Sequence, residues 1–258
     1  MRLRVFASGS GGNCLAVSSG STSLLIDLGL SCRTLLSRMK QCSFSPEKLS
    51  GVVFTHDHTD HCSAAAVFRK KFPEVPFFAN DATADAISSR YGIEDGWVVF
   101  EQSSPFEVGC LEVAPFSVPH DAADATGYLV SDGEKTLFVA TDLGFATKTV
   151  LTAFSRADCA VLEANHDPSL LVRSGRPWPL IQRISGRSGH LSNDDTAAIV
   201  HDAASPSLSI LLLAHLSTQC NSPHLALEAV RQALSQRKEC SPAIETLSQD
   251  VPSRLYTF

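Results

Sequence analysis

The residues best suited to chemistry are concentrated in the segment Thr55-His-Asp-His-Thr-Asp-His61. Three histidines and two carboxylates so close together do not suit a hydrophobic core, because each buried polar group needs a partner. Imidazole binds borderline divalent ions such as zinc, and carboxylate also accepts manganese or iron. A solvated polar turn is the alternative, but histidine at this density favours a metal site. The segment follows the apolar run Val52–Thr55, which predicts a strand that ends where the site begins.

Two more candidate ligands also follow apolar runs. Asp142 comes just after Leu137–Ala140, and His215 comes just after Leu211–Ala214. Strands that end in this way allow distant segments of a chain to converge on one rim. Taken alone, His215 or His120 would more often be a structural histidine, so their assignment depends on the whole set.

The pattern His56-x-His58-x-Asp60-His61 resembles the signature of the metallo-β-lactamase superfamily. The resemblance extends over nearly the whole chain. It is carried by further motifs at Ala7–Asn13, Pro119–Ala122 with Gly127-Tyr128, Thr141–Gly144, Glu163–Asp167, Gly189–Asn193 and Ala214–Ser217. This set is similar to the YycJ/WalJ branch of the superfamily, bacterial single-domain proteins described as 5′→3′ DNA exonucleases.

The order of the predicted elements indicates an α/β (α+β) fold class. Two β-rich halves with interspersed helices imply two mixed sheets packed face to face with helices outside, which is the αββα sandwich that the resemblance also implies. No repeat or linker is apparent, so a single domain over residues 1–258 is expected. The helices are predicted over Cys32–Gln41, Cys62–Lys71, Ala82–Arg90, Lys148–Phe154, Thr196–Ala204 and His224–Leu234. Among the predicted strands are Leu3–Ala7, Leu15–Ser18, Leu24–Asp27, Val75–Ala79, Phe106–Ser117, Cys159–Glu163 and Leu208–Leu213.

The resemblance implies two divalent metal ions per chain, zinc or manganese, held by seven side chains. It assigns the first ion to His56, His58 and His120, the second to Asp60, His61 and His215, and the bridging position to Asp142. The residue types suit this arrangement, because a shared carboxylate reduces the repulsion between two neighbouring cations.

The resemblance to tRNA-processing relatives also implies a catalytic pair outside the metal ligands. His190 matches a histidine that acts near the leaving group, and Glu163 matches its acidic partner. A histidine oriented by a carboxylate is well suited to protonate a departing alkoxide. Alternatively, His190 only precedes a helix, with Ser192 or Asn193 as its N-cap. Asp60 is expected both to bind metal and to orient the attacking hydroxide.

Substrate contacts are predicted in two segments. The glycine-rich loop Ser8–Asn13 follows a strand, and its backbone N–H groups could bind phosphate, with Ser8, Ser10 and Asn13 as contacts; an ordinary glycine-rich turn is the alternative. His166 fits a residue that supports the metal ligands, a phosphate contact or a competing proton donor.

The segment Pro168–Asn193 contains four arginines and no acidic residue, although the chain has a net charge of −6. Guanidinium groups bind phosphate bidentately, which favours Arg183 and Arg187, the two nearest His190, as nucleic-acid contacts. An ordinary charged surface is the alternative. The overall acidity offers no global attraction for a polyanion, so any such contact must be local.

The composition is typical of a cytoplasmic protein without membrane spans. No charged-then-apolar leader and no long apolar stretch is present. The eight cysteines form no CxxC pair, which favours reduced thiols. Cys62 lies beside the histidines, but buried cysteine is more typical of a core.

The resemblance implies a dinuclear-metal phosphodiesterase acting on nucleic acid, specifically a 5′→3′ DNA exonuclease. The segments between His120, Asp142 and His215 are too short for the inserted domain of RNase J or the arm of RNase Z. An RNA-processing nuclease remains an alternative, as does a glyoxalase II-like hydrolase of small thioesters or lactones. A non-catalytic binding module is a third class, disfavoured because all seven expected ligands are present.

Overall fold

The computed structural model describes residues 1–237 and 239–258 and divides the chain into two compact units. The first unit comprises Met1–Pro115, Ala122–Thr126 and Ser248–Thr257. The second comprises Phe116–Asp121, Gly127–Leu247 and Phe258. Both units contain strands and helices.

The first sheet has seven strands in the order β14-β1-β2-β3-β4-β5-β6. β14, β1, β2 and β3 pair antiparallel, whereas β3, β4, β5 and β6 pair parallel. Its strands are β1 (Arg2–Ala7), β2 (Cys14–Ser19), β3 (Thr22–Ile26), β4 (Gly51–Val53), β5 (Phe77–Ala79), β6 (Trp97–Val99) and β14 (Tyr256–Thr257). The parallel register places Ile26 opposite Val53, so β3 and β4 end side by side.

Four helices accompany this sheet in the first unit: α1 (Cys32–Gln41), α2 (Thr59–Cys62), α3 (Ala65–Lys71) and α4 (Asp81–Tyr91). Polar caps fix two of the boundaries, because Ser31 accepts from the Thr34 N–H and Asn80 from the Thr83 N–H. α3 contributes Phe68, which is fully buried among other aromatic and aliphatic side chains. Burying such a ring contributes about 1.5–3 kcal/mol.

The second sheet has seven strands in the order β13-β12-β11-β10-β9-β8-β7. Its strands are β7 (Phe106–Val108), β8 (Leu111–Ser117), β9 (Thr126–Ser131), β10 (Thr136–Ala140), β11 (Cys159–Glu163), β12 (Ile210–Ala214) and β13 (Ala243–Thr246). β10 to β13 pair parallel, and almost every residue of β10, β11 and β12 is buried. Such continuous apolar strands are typical of a parallel sheet that is covered on both faces.

The described residues of the second unit form five α-helices: α5 (Lys148–Phe154), α6 (Pro168–Val172), α7 (Trp178–Ile184), α8 (Asn193–Ala203) and α9 (Pro223–Leu234). α8 begins at a capping box, in which the Ser192 side chain accepts from the Asp195 N–H and Asp195 accepts from the Ser192 N–H. On the sheet, the ring of Phe138 lies 5.3 Å from that of Phe154 in α5, which anchors this helix.

Three residues directly or closely following parallel strands have left-handed backbone conformations. Asp27 follows β3 with φ of 64°, Asp142 follows β10 with φ of 58°, and His215 follows β12 with φ of 56°. Residues other than glycine rarely adopt positive φ, and such strain concentrates at functional sites. The backbone therefore turns sharply at the points where the sequence predicts two of the metal ligands.

The predicted fold class is confirmed by the two mixed sheets and their helices, and the single-domain prediction is not tested by the division into units. Several boundaries differ from those expected. The predicted strand Phe106–Ser117 is interrupted at Gly109, whose φ of 60° forms the turn between β7 and β8. α6 and α7 were not predicted, because Pro168, Pro177 and Pro179 indicate breaks. Within the described part of the chain, no helix is long and apolar enough to cross a membrane.

Candidate functional site

The first unit brings together four of the predicted ligands. The ring centroid of His56 lies 4.8 Å from that of His58 and 4.1 Å from that of His61. The Nε2 atom of His61 lies 3.7 Å from Oδ2 of Asp60. His56 and His61 are almost fully buried, whereas His58 and Asp60 are half-buried. The short helix α2 produces this arrangement by turning the chain directly after His58.

A carboxylate that the sequence reasoning missed orients His61. Nδ1 of His61 donates to Oδ2 of Asp27 over 2.7 Å, and Thr55 donates to the same carboxylate through its backbone N–H and its hydroxyl, both over 2.8 Å. Burial raises the pKa of Asp27, and His61 and Thr55 offset part of that rise. A histidine held through one nitrogen by a carboxylate presents the other nitrogen as a metal ligand. In His61 that other nitrogen is Nε2, on the side of Asp60.

We predict that Asp27→Asn lowers the affinity for divalent metal about 10- to 100-fold, the usual effect of removing the carboxylate that orients a histidine ligand. The amide keeps the shape but loses the charge that holds the Nδ1 proton of His61. Metal content after dialysis against graded free zinc measures the effect. Asp158→Asn is the matched control, because Asp158 is also a partly buried carboxylate that accepts a backbone N–H. Equal metal affinity in the two variants would contradict the prediction.

The glycine-rich loop is held by contacts within the first unit. Asn13 donates its backbone N–H to the Asp60 carbonyl over 2.7 Å, and its side-chain Nδ2 lies 3.0 Å from Nε2 of His61. Gly12 has φ of 145°, and a Cβ there would lie 2.5 Å from the Gly29 carbonyl oxygen. The loop therefore packs closely enough to position the metal-ligand segment.

The same contacts engage most of the backbone N–H groups that the sequence analysis proposed for binding phosphate. The backbone N–H groups of the loop that already donate within the chain are those of Ser8, Gly9, Gly11, Gly12 and Asn13. In particular, the Gln249 side chain accepts from the Gly11 N–H and donates to the Gly12 carbonyl. These backbone donors are already in use, so the contacts left for phosphate on this loop are the N–H of the exposed Ser10 and side chains such as its hydroxyl.

The second unit contains a compact cluster of acidic and histidine side chains. Asp142, Glu163, His190 and His215 each offer a ligand atom within 4.8 Å of the others. Oδ1 of Asp142 lies 3.4 Å from Nδ1 of His215 and 3.6 Å from Nδ1 of His190. The two histidine rings are 5.3 Å apart. Predicted ligands and the predicted catalytic pair therefore occupy one cluster.

Glu163 is the hub of this cluster and is fully buried. Its Oε1 accepts from Nδ1 of His190 over 2.8 Å and from Nδ1 of His215 over 2.9 Å. Its Oε2 accepts the backbone N–H groups of Leu143 and Leu191 over 3.0 and 3.1 Å. Burial acts to raise the pKa of Glu163, but the charge and hydrogen bond of His190 and the bond from His215 outweigh it and hold the pKa at about 2.

His190 is the histidine whose pKa Glu163 raises. Burial lowers the pKa of His190, but the neighbouring Glu163 charge and hydrogen bond, with help from Asp142, raise it above its ordinary value. The tight turn at Gly189 sets the ring in place, since the His190 N–H donates to the Ile184 carbonyl over 2.8 Å. Because Nδ1 is bound to Glu163, the remaining ring nitrogen, Nε2, is the one that could donate a proton elsewhere.

His120 belongs to the same unit and is also fixed through Nδ1. This atom donates to the Gly189 carbonyl over 3.1 Å, and the His120 ring lies 5.3 Å from that of His190. Nε2 of His120 lies 3.5 Å from Oδ1 of Asp121. The second unit thus holds the remaining three predicted ligands, His120, Asp142 and His215.

The sequence of the chain matches a known protein family. The family model described as "Beta-lactamase superfamily domain" matches residues 22–215, three quarters of the chain. This chain belongs to the β-lactamase superfamily. The matched range begins with β3 and ends at His215, so it includes every predicted ligand.

Two curated relatives are similar to this chain over most of its length. "Exodeoxyribonuclease YycJ" of Bacillus anthracis is 32% identical over 239 residues, 92% of this chain and 90% of the relative. "Exodeoxyribonuclease WalJ" of Streptococcus pneumoniae is 31% identical over 236 residues, 90% of this chain and 87% of the relative. The chain is a metal-dependent hydrolase, as predicted.

A solved structure supports the same fold. The metallo-β-lactamase fold protein YhfI of Bacillus subtilis matches with a TM-score of 0.69 and 19% identity, covering 98% of each chain. At this identity the likeness shows the fold alone. It agrees with the metallo-β-lactamase fold that the sequence predicts.

Three further residues that the sequence predicts as substrate contacts have defined surroundings in the structure. Arg183 forms an ion pair with Asp121, with 2.6 Å between Nε and Oδ2, so its charge is partly neutralised. Arg187 lies over the Phe145 ring at 4.5 Å and is exposed. His166 is buried, and its Nδ1 has no hydrogen-bond partner among the described residues. Its role stays a prediction.

Cys62 behaves as a core residue, as the sequence suggested. Its thiol is fully buried and donates to the Asp57 and His58 carbonyls over 3.2 and 3.1 Å. Burial raises the pKa of the thiol to about 11, so it remains neutral and is a poor metal ligand.

Proposed function

We propose that this chain is a dinuclear-metal phosphodiesterase that acts on nucleic acid, specifically a 5′→3′ DNA exonuclease. The observation that carries the proposal is the Glu163–His190 pair, whose 2.8 Å bond lies in the same cluster as Asp142 and His215. A thioester hydrolase does not need an oriented acid for a poor leaving group, because a thiolate leaves without protonation. A phosphodiester with an alkoxide leaving group does. The relatives named exodeoxyribonuclease support the same reaction class.

The donor chemistry suits divalent metal. We propose zinc or manganese as the ions and assign the ligands as the superfamily pattern implies: His56, His58 and His120 for one ion, Asp60, His61 and His215 for the other, and Asp142 for both. Imidazole and carboxylate together fit these metals better than magnesium or calcium, which prefer oxygen alone. When bound, a metal pair supplies Lewis acidity and lowers the pKa of water. In each unit, carboxylates or carbonyls hold the Nδ1 atoms of ligand histidines.

The residues of the chain supply orientation and a proton. Glu163 fixes the tautomer of His190, so that Nε2 carries the proton to be donated to the departing 3′-oxygen. The same carboxylate orients His215 as a ligand, which couples the position of the acid to that of the metal site. Asp60 is half-buried beside His61 and is the carboxylate we assign to orient the attacking hydroxide.

The substrate and compartment follow from the same reasoning. We propose DNA as the polymer, bound through local positive charge because the chain as a whole is acidic. The eight cysteines are all free thiols in the structure, which supports our proposal of a cytoplasmic protein.

The experiment that tests this function is digestion of end-labelled polymers with added zinc or manganese. The substrates are DNA and RNA strands carrying either a 5′-phosphate or a 5′-hydroxyl. We expect stepwise release of mononucleotides from the 5′ end of DNA and slower or no degradation of RNA. Release from the 3′ end, or preference for RNA, would contradict the polarity or the polymer. Turnover of a generic thioester without any nuclease activity would instead support the small-molecule alternative.

A further inference from the structure

The segment that joins the two members of the catalytic pair carries an exposed apolar surface. Between Glu163 and His190, the chain forms α6 and α7, and four of its large apolar side chains are exposed: Leu170, Val172, Trp178 and Leu180. Trp178 is 59% exposed. The other tryptophan of the chain, Trp97, packs between Phe54 and Phe77. A tryptophan exposed to this extent contributes little to folding, and exposed apolar side chains grouped on one segment are typical of an interaction surface.

The inner face of the two helices accounts for their packing without these side chains. Leu171 of α6 and Ile181 of α7 are buried against Cys220, with Ile184 packed beside them. Because this small cluster already anchors both helices, Val172 and Trp178 lie on the outer side. The outer surface is therefore supported by the small buried cluster beneath it.

The charge around this surface is positive. From Pro168 to Asn193 the chain has arginines and no acidic residue. Arg173 is exposed, and among residues 1–237 and 239–258 no side-chain hydrogen bond or ion pair is found for it. The Arg176 guanidinium donates to the neutral side chain of Gln219. These two arginines therefore keep their full charge, unlike Arg183, which is paired with Asp121.

An exposed indole on the same segment as two unneutralised guanidinium groups fits single-stranded nucleic acid. Bases stack on aromatic side chains whatever their sequence, and guanidinium groups bind the phosphates between them. A protein partner would be expected to match the apolar side chains, but it would also need to supply acidic groups to both arginines. Each nucleotide of a nucleic-acid strand supplies both an aromatic base and a negatively charged phosphate.

We propose that the surface formed by Val172, Arg173, Arg176 and Trp178 binds the single-stranded part of the substrate, with Trp178 stacked on a base. The inference rests on the proposed function, since it assigns the strand that a nuclease would hold. The surface is connected directly to the catalytic pair, because the α7 carbonyl of Ile184 accepts the His190 N–H over 2.8 Å. A strand bound on this surface would therefore contact the same segment of the chain that positions His190.

The test is binding of a fluorescein-labelled single-stranded oligonucleotide with phosphorothioate linkages, which resist hydrolysis. We expect the oligonucleotide to quench tryptophan emission of the wild-type protein. Trp178→Ala should raise the Kd about 5- to 150-fold, the range for removing one base–aromatic stack, and Trp178→Phe should recover part of the affinity. Arg173→Ala combined with Arg176→Ala should reduce the salt slope by about 0.7 for each phosphate that the variant no longer binds.

The control variant is Val67→Ala, which removes an equally exposed apolar side chain (59%) from α3 in the first unit. It should leave the Kd unchanged. Hydrolysis of a small nitrophenyl phosphodiester should be the same in Val67→Ala as in the wild type, which checks that the control variant is intact. An unchanged Kd in Trp178→Ala overturns the inference, and a changed sedimentation coefficient would then identify the surface as a protein interface. Failure of the wild type to hydrolyse any phosphodiester would overturn the proposed function instead, since binding is measured separately.

Discussion

Asp142→Ala should lose most of its bound metal and all measurable nuclease activity. The side chain is 3% exposed, and its Oδ1 lies within 3.6 Å of Nδ1 of both His190 and His215. Its removal leaves no shared carboxylate to offset the repulsion between two cations, so the second ion should bind weakly. Elemental analysis of the purified variant measures the metal, and digestion of end-labelled DNA measures the activity.

The control for this variant is Asp95→Ala, which removes an exposed carboxylate that pairs with Arg69. It should keep its metal and its activity. Circular dichroism of Asp142→Ala checks that the loss is not one of folding. Full metal occupancy in a folded Asp142→Ala protein would contradict the bridging assignment.

His190→Ala should keep its metal and lose about 10²- to 10⁴-fold in turnover, the usual contribution of a positioned general acid. The reason is that His190 lies outside the assigned ligand set, while Glu163 fixes its Nδ1 proton over 2.8 Å. The defect should shrink on a nitrophenyl phosphodiester, whose leaving group needs no proton. Turnover of both substrates under metal saturation gives the comparison.

His201→Ala is the matched control, since this histidine is also hydrogen-bonded to a carboxylate but is exposed on α8. Its turnover should equal that of the wild type. Glu163→Gln should reproduce part of the His190→Ala defect, because a neutral amide no longer raises the pKa of the histidine. If His190→Ala slows both substrates equally, His190 binds or supports the site rather than donating a proton.

The parts of the site that the sequence predicts are those that depend on local spacing. His56, His58, Asp60 and His61 follow one apolar strand within six residues, and the structure places their side chains together. Asp142 and His215 are predictable because each follows a buried parallel strand, and the backbone turns at both positions. Spacing places these residues at strand ends, and the resemblance to the superfamily then assigns them as ligands.

Partners that are distant in sequence could not be found in this way. Asp27 lies 34 positions before His61, and Asp121 lies 62 positions before Arg183. Only the paired ends of β3 and β4 bring Asp27 to the histidines. A signal for Asp27 existed nonetheless, because it follows an apolar strand just as the predicted ligands do.

Turn-forming residues also led to errors in two places, the segment that forms α6 and α7 and the glycine-rich loop. The prolines of the segment Pro168–Pro179 suggested irregular chain, yet Pro168 lies in the first turn of α6, where its missing N–H costs nothing. In the glycine-rich loop the opposite error occurred. The residue types suggested open N–H donors, but Gln249 from the far end of the chain occupies one of them.

The most direct test of the central claim is a metal titration of the stripped protein. The protein is dialysed against a chelator, and manganese or zinc is then added in steps while nucleotide release from 5′-phosphorylated DNA is followed. We predict no release from the stripped protein, a rise on addition of metal, and a plateau at two equivalents per chain. Full nuclease activity in the presence of the chelator, or a protein that binds two equivalents and releases no nucleotide, would contradict a dinuclear-metal nuclease.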